Sequence, residues 1–342
     1  MNIILSLAIS GMAVTGIVLI AVAGYFANMH YFFGVVIPYL AIVTFFAGMI
    51  YRVVKWGKSP VPFRIPSTCS QQKSLPWIKY DYVDKLDNPS TRLGVWGRMI
   101  LEVFFFRSLF RNTRMQFGDG EHIRYTSSKW LWLGAMGFHI CFVVVLIRHL
   151  RFVTQPLPLF VEWIENVDGF FQFWLPVPYQ TGLLLGAAVT FLLLRRILIP
   201  QMRYISLPAD YFPLFLILAI AKTGILMRYV VKADVVRIKE FTMGMITFNP
   251  VVTEGISVFF YIHLLLVSVL VAYFPFSKLT HMAGVFLSPT RNMENNNRAV
   301  RHINPWNPEP KFHTYEAYED DFREAMIEAG IPVDKKTAAP AE

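Results

Sequence analysis

Cysteine is nearly absent: Cys69 and Cys141 are the only two in 342 residues. Two thiolates cannot hold an iron–sulfur cluster, which takes four, and no Cys-x-x-Cys-His run exists to attach haem c. A structural disulfide is not expected either, because Cys141 falls in an apolar segment and Cys69 in a polar one. Charge is scarce as well. Only 16% of residues are charged while 55% are hydrophobic, which excludes an ordinary soluble domain. The charges present are unevenly signed, 32 Lys and Arg against 23 Asp and Glu, for a net +9. Basic loops kept on the cytoplasmic side of a membrane account for that excess, so no nucleic-acid partner is expected. The first apolar stretch lacks a basic n-region and a polar cleavage site, so it reads as a retained helix.

What the chain does have is long hydrophobic runs. Six of them, near 3–25, 31–54, 130–150, 180–199, 210–230 and 255–283, approach the ~20 residues needed to cross the hydrocarbon core. The expected fold is therefore all-α, a polytopic membrane bundle of six transmembrane helices in contact with lipid. A polar segment at 55–129 carries Lys55, Lys58, Arg98, Arg107, Arg111 and other basic residues, which marks it as cytoplasmic. Within it, residues 95–111 alternate apolar and basic groups at helical spacing, as in a helix lying in the inner interface or packed on a soluble partner. The 152–180 link has three acids and no Lys or Arg, as an outer loop should. The 231–254 link, with Lys232, Arg237 and Lys239, fits that alternation less well. Counting spans puts both termini in the cytoplasm and the chain in the inner membrane. Three regions follow: an additional N-terminal helix over 1–30, a five-helix membrane domain over 31–285 that includes the 55–129 loop, and a polar tail over 286–342.

Histidine inside an apolar span is costly and calls for a reason. The third span holds His139 and His149, ten residues apart, and the sixth holds His263 and His281, eighteen apart. Haem b bound by two imidazoles supplies that reason, and two pairs would hold two haems. Because the spans run in opposite directions, partners at equal depth are nested: His139 with His281 at the inner level, and His149 with His263 at the outer level. The spacings, roughly 15 Å and roughly 27 Å along straight helices, do not match. Tilt and a kink at Pro275 are expected to absorb the difference. His30, His122, His302 and His313 fall at span ends or in polar segments and read as surface residues.

Other charged groups fall near these levels. Lys222 lies within the fifth span, and with Thr223 could meet a quinone or a haem propionate; snorkelling to the interface is the plainer alternative. Arg148, Arg151 and Arg228 toward the outer side, and Lys278 with Arg195 or Arg196 toward the inner, could neutralise propionates or simply anchor the interface.

A ten-residue and then an eighteen-residue histidine spacing, three spans apart, resembles the di-haem membrane subunit of the nitrate reductase gamma family. In that family the four matching positions are the axial ligands of two b haems, in the nested pairing. The extra first helix, the 97–115 run GRMILEVFFFRSLFRNTRM and the NPW near the tail look more like the membrane cytochrome b of the dissimilatory sulfite reductase-associated complex, a relative of heterodisulfide reductase. That resemblance implies an electron-transfer subunit linking menaquinone or another quinone to a cytoplasmic heterodisulfide reductase-like iron–sulfur subunit in sulfur metabolism. Further membrane and outer-side cytochrome or iron–sulfur subunits would fit the same complex. The rivals are the gamma subunit of nitrate reductase itself and, from another class, an ion or proton transporter.

Overall fold

With little water to satisfy them, the backbone amides of an apolar run must bond to one another, and the helix is the form that does this within one segment. In a computed structural model, which describes residues 3–59, 85–86, 88–117, 123–172, 176–252, 254–296, 300, 303 and 312–335, the chain obeys that rule. Helix α1 (Ile3–Phe26) turns at Asn28 into a π-helical turn, Phe32–Val36, and α2 (Ile37–Gly57). Next come α3 (Arg92–Phe105), α4 (Arg107–Phe110) and an antiparallel hairpin of β1 (Thr113–Phe117) and β2 (Ile123–Ser127). Then follow α5 (Lys129–His149), α6 (Leu159–Asp168), α7 (Gln180–Leu198), α8 (Pro200–Ile205), α9 (Pro208–Ile225), α10 (Val235–Ile246) and α11 (Val258–Tyr273). Short helices α12 (His281–Gly284) and α13 (Pro289–Asn292) precede α14 (Tyr315–Glu328).

Among the described residues, six helical runs are long and apolar enough to cross a membrane: Ile3–Phe26, Phe32–Gly57, Lys129–Phe152, Gln180–Leu198, Pro208–Val230 and Val258–Phe276. The protein is a multi-pass helical membrane protein. Five of these agree closely with the sequence expectation. The sixth does not, because α11 stops at Tyr273 and gives way to two 3-10 turns, Phe274–Phe276 and Lys278–Thr280. His281 therefore opens a separate short helix instead of closing five turns on the His263 face. The cause is local. Pro275 has no N–H to offer the ladder, and Ser277 is extended at φ −115° and ψ 177°. The groups released there are satisfied from nearby: Arg52 donates Nε to the Pro275 carbonyl at 3.0 Å, and Ser277 Oγ donates to Phe274 O at 2.9 Å.

Packing sets where the helices stand. Helix α11 packs against α1, α2 and α9, while α5 packs along α7, and α7 along α9. Gly134 on α5 admits the Phe191 ring of α7, which a Cβ would meet at 2.6 Å. Leu216, Leu266, Val189 and Phe241 are fully or almost fully buried at the centre. The first helix is an integral member of the bundle, since Ser10 Oγ donates to Pro208 O of α9 at 3.1 Å.

Two extramembrane links are more structured than the sequence suggests. Helix α6 fills the 152–180 link with Val161 buried, and α10 fills the 231–254 link with Ile238 and Phe241 turned inward. Helix α3 exposes Leu93, Trp96, Ile100 and Phe104, a one-sided stripe. It is fastened to the start of α5 by the bond from Trp132 Nε1 to Phe105 O at 2.8 Å. Residues 60–84, including Cys69, together with His122, His302 and the NPWNPEP run at 304–310, lie outside the described residues.

Candidate functional site

Helix α5 leans on α7 and does not pack along α11, so these two helices face each other across an interval. Histidines span it at two levels. The rings of His139 and His281 have centroids 6.0 Å apart and planes at 80°. Those of His149 and His263 are 6.4 Å apart and nearly parallel, at 9°. A metal held between two imidazoles needs a bond of about 2.0 Å on each side. Adding about 1.1 Å from each nitrogen to its ring centre gives a centroid separation of about 6.2 Å. Both pairs stand at that distance.

The remaining ring nitrogens are already occupied. His139 Nδ1 is 2.7 Å from Ala135 O, His149 Nδ1 2.6 Å from Val145 O and His281 Nδ1 2.8 Å from Lys278 O. A carbonyl only accepts, so in these three the proton sits on Nδ1 and the Nε2 lone pair is left for a metal. Among the described residues no three His, Cys, Asp or Glu side chains converge as a metal site. Two facing imidazoles suit a metal whose other ligands come with it, as in a macrocycle. The residues fit a b-type haem at each level.

The chain matches the nitrate reductase gamma subunit model over residues 95–301, a stretch that includes all four histidines. It belongs to the nitrate reductase gamma subunit family. Two relatives carry the same name, "Hdr-like menaquinol oxidoreductase cytochrome b-like subunit". The one from Archaeoglobus fulgidus is 48% identical over 81% of this chain and 83% of its own length. The one from Archaeoglobus profundus is 43% identical over 80% and 82%. Helices α1 and α2 both fall outside the family match.

Around this gamma-family core, most of the cations assigned to propionates already have carboxylate partners. Arg148 Nε lies 2.8 Å from Asp168 Oδ2, Arg151 Nη1 lies 3.1 Å from Glu165, and Lys278 Nζ lies 2.6 Å from Asp210. The physical reason is that an unpaired charge in such surroundings is too costly to leave standing. Arg196 also approaches Asp210, at 3.8 Å. Arg228 differs: it donates to the Val177 carbonyl at 3.0 Å and has no carboxylate among its recorded contacts. Arg148 and Arg228 each lie 3.9 Å from the ring centre of Tyr179. Three arginines against Asp168 and Glu165 leave one positive charge uncompensated here, and Arg228 carries it.

Thr223 and Lys222 part company. Thr223 is buried, and its hydroxyl lies 2.9 Å from His263 Nδ1, so it meets the histidine and not a quinone or propionate. Lys222 lies on the exposed exterior of α9 with no hydrogen bond or ion pair among the described residues. His30 is not the surface residue its position suggested. Its ring lies 4.9 Å from that of Tyr25 and 5.1 Å from that of Tyr261, and its Nε2 is buried without a hydrogen-bond partner among the described residues. His313 does stay outside, 3.3 Å from Asp321. Asp168, Asp210 and Tyr179 were missed by sequence reasoning. The one signal was an acidic loop with no basic residue of its own to pair with.

Proposed function

We propose that this protein is the membrane electron-transfer subunit of a quinone-linked oxidoreductase, carrying two b haems at different depths. His139 and His281 would hold the inner one, and His149 and His263 the outer one. The observation that carries this reading is the pair of imidazole couples that join α5 to α11 (His149 with His263) and α5 to α12 (His139 with His281), with Nδ1 of each ring already bonded. When bound, each haem supplies a one-electron iron couple. The chain's own part is to orient the imidazoles, keep water from the interval and set the local charge. Arg228, with Arg148 held beside it over Tyr179, presents positive charge at the outer level, where haem propionates would need it. Lys222, on the exterior of α9 and adjacent to the residue that touches His263, offers an ammonium donor to a quinone arriving from the lipid.

The names of the two Archaeoglobus relatives support menaquinol as the quinone and a heterodisulfide reductase-like complex as the assembly. The partner in this reading is a cytoplasmic iron–sulfur protein, and the process is sulfur metabolism. The excess of basic residues in the 55–129 segment supports an orientation with both termini and that segment on the cytoplasmic side of the inner membrane, where the apolar stripe of α3 would meet the inner interface.

A reduced-minus-oxidised spectrum of the purified protein tests this. It should show a b-type α-band from two haems. Replacing His139 or His281 with Ala should remove one haem, and replacing His149 or His263 the other. No α-band, or loss in any other grouping, refutes the reading.

A further inference from the structure

One of the four histidines is held differently from the rest. His139, His149 and His281 direct Nδ1 at carbonyls of their own segment, three or four residues earlier. His263 instead meets a side chain from another helix, Thr223 Oγ1 of α9 at 2.9 Å. That hydroxyl also lies 2.9 Å from Ala219 O and 3.0 Å from Ile220 O. A hydroxyl has one proton to donate. With that proton spent on its own helix, its lone pair accepts from His263 Nδ1–H, which leaves Nε2 bare. The ring so held is 9° from the plane of His149, whereas the other couple stands at 80°.

We propose that Thr223 is a positioning residue that fixes the plane of His263 parallel to His149, giving the outer haem a ligand field unlike that of the inner one. The inference rests on the di-haem reading and adds to it. Each imidazole donates π density into the iron d orbital perpendicular to its own plane. Parallel planes load one orbital and separate it from its neighbour. Perpendicular planes load both and leave them nearly degenerate. The parallel couple therefore gives a rhombic low-spin ferric signal with three resolved g values, and the crossed couple gives one dominated by a single large g value. A neighbouring side chain that orients a ligating histidine is a recognised means of tuning a metal. Here it acts across a helix–helix contact.

The test is electron paramagnetic resonance of the oxidised full-length protein, with haem content read separately from the α-band. Wild type should show both signals, the rhombic one lost in His149→Ala and the anisotropic one lost in His281→Ala. Thr223→Val keeps the side chain's shape and removes the hydroxyl, leaving His263 with the Ile220 carbonyl, which it also meets, as its one partner from α9. His263 should then turn, and the rhombic signal should shift toward the anisotropic form while the inner signal stays put. Thr223→Ser should match wild type. If Thr223→Val loses the outer haem, Thr223→Ala is read in the same way, and loss in both with Thr223→Ser normal equally shows that the hydroxyl holds the ligand. An unmoved outer signal in Thr223→Val, or a Thr223→Ser variant shifted as far, overturns the proposal and leaves the di-haem reading standing. A wild type without b haem removes both.

Discussion

Asp168 joins a buried arginine to the start of α7, and its replacement by Asn gives a sharp test of the outer cluster. Its carboxylate lies 2.8 Å from Arg148 Nε, with the two side chains only 3% and 10% exposed. It also accepts from Thr181 N at 2.7 Å and from Thr181 Oγ1 at 2.6 Å, which caps the first turn of α7. Asn at this position can still take the Thr181 N–H, but it cannot neutralise Arg148. Removing one partner of a buried ion pair costs about 3–5 kcal/mol. The Tyr179 face beneath Arg148 is present before and after, so it offsets none of this. At an unfolding entropy of about 2.1 cal/mol/K per residue, a chain of 342 residues shifts by about 1.4 °C per kcal/mol, so a loss of about 3–5 kcal/mol lowers the melting temperature by about 4–7 °C. The assay is thermal unfolding of the detergent-solubilised protein followed by far-ultraviolet circular dichroism. Arg148→Met with Asp168→Asn, which deletes both charges and keeps an acceptor for Thr181 N–H, should recover most of the loss, because no uncompensated charge is then left buried. Asp168→Asn melting within about 2 °C of wild type, or a double variant no better than the single one, would refute the reasoning.

Two further outcomes are expected besides the histidine and Thr223 experiments above. At Gly48 of α2 a Cβ would stand 2.5 Å from Pro275 Cβ. Gly48→Leu should therefore push the Phe274–Phe276 turn off α2 at a cost of about 1–3 kcal/mol, and disturb the His139–His281 haem while sparing the other, as read from the α-band. In the tail, Glu319 accepts from Asp334 N at 2.7 Å and Lys335 N at 2.8 Å, and these donors hold its carboxyl below the usual carboxylate range. Stability from this closure is thus full above the unfolded value of about 4.3 and is lost as pH falls through the lower folded one. Protection factors over 315–335, taken against the intrinsic exchange rate at each pH, should fall at acid pH in wild type and already at neutral pH in Glu319→Gln; equal protection at neutral pH would disprove it.

Much of the bundle was legible because membrane helices write their signal in bulk composition. Spans of apolar residues, and four histidines within them or just beyond their ends, needed no tertiary knowledge to be noticed. The irregularity at Pro275 was legible as a kink, but the outright end of α11 was not, since PFSKLTHMAGV reads as a continuing apolar run and nothing in it shows that His281 opens a separate helix. Nor could spacing reveal that Arg148 meets Asp168, or Lys278 meets Asp210, because those partners come from other elements. Thr223 is the instructive case. Its place beside Lys222 drew attention to the right turn of α9, yet the two side chains leave that turn in different directions. His30 shows the same blindness: a junction residue looks exposed until Tyr261 arrives from far along the chain.

The unequal lengths of neighbouring spans have a consequence for the surrounding lipid. Val258–Phe276 counts 19 residues, about 28 Å at 1.5 Å per residue, and Phe32–Gly57 counts 26, about 39 Å. These two runs pack side by side, so they cannot both match one hydrocarbon thickness. The longer helix must tilt or project, and its last turns are the ones that wall the segment where α11 stops: Arg52 grips Pro275, and Trp56 lies against Gly284. The short helix sits at or just under the ~30 Å of an average bilayer core, so a thicker membrane has to thin beside it or draw its end inward. Bilayer thickness thus acts mechanically on the turn that carries His281, at a modest cost per ångström of mismatch.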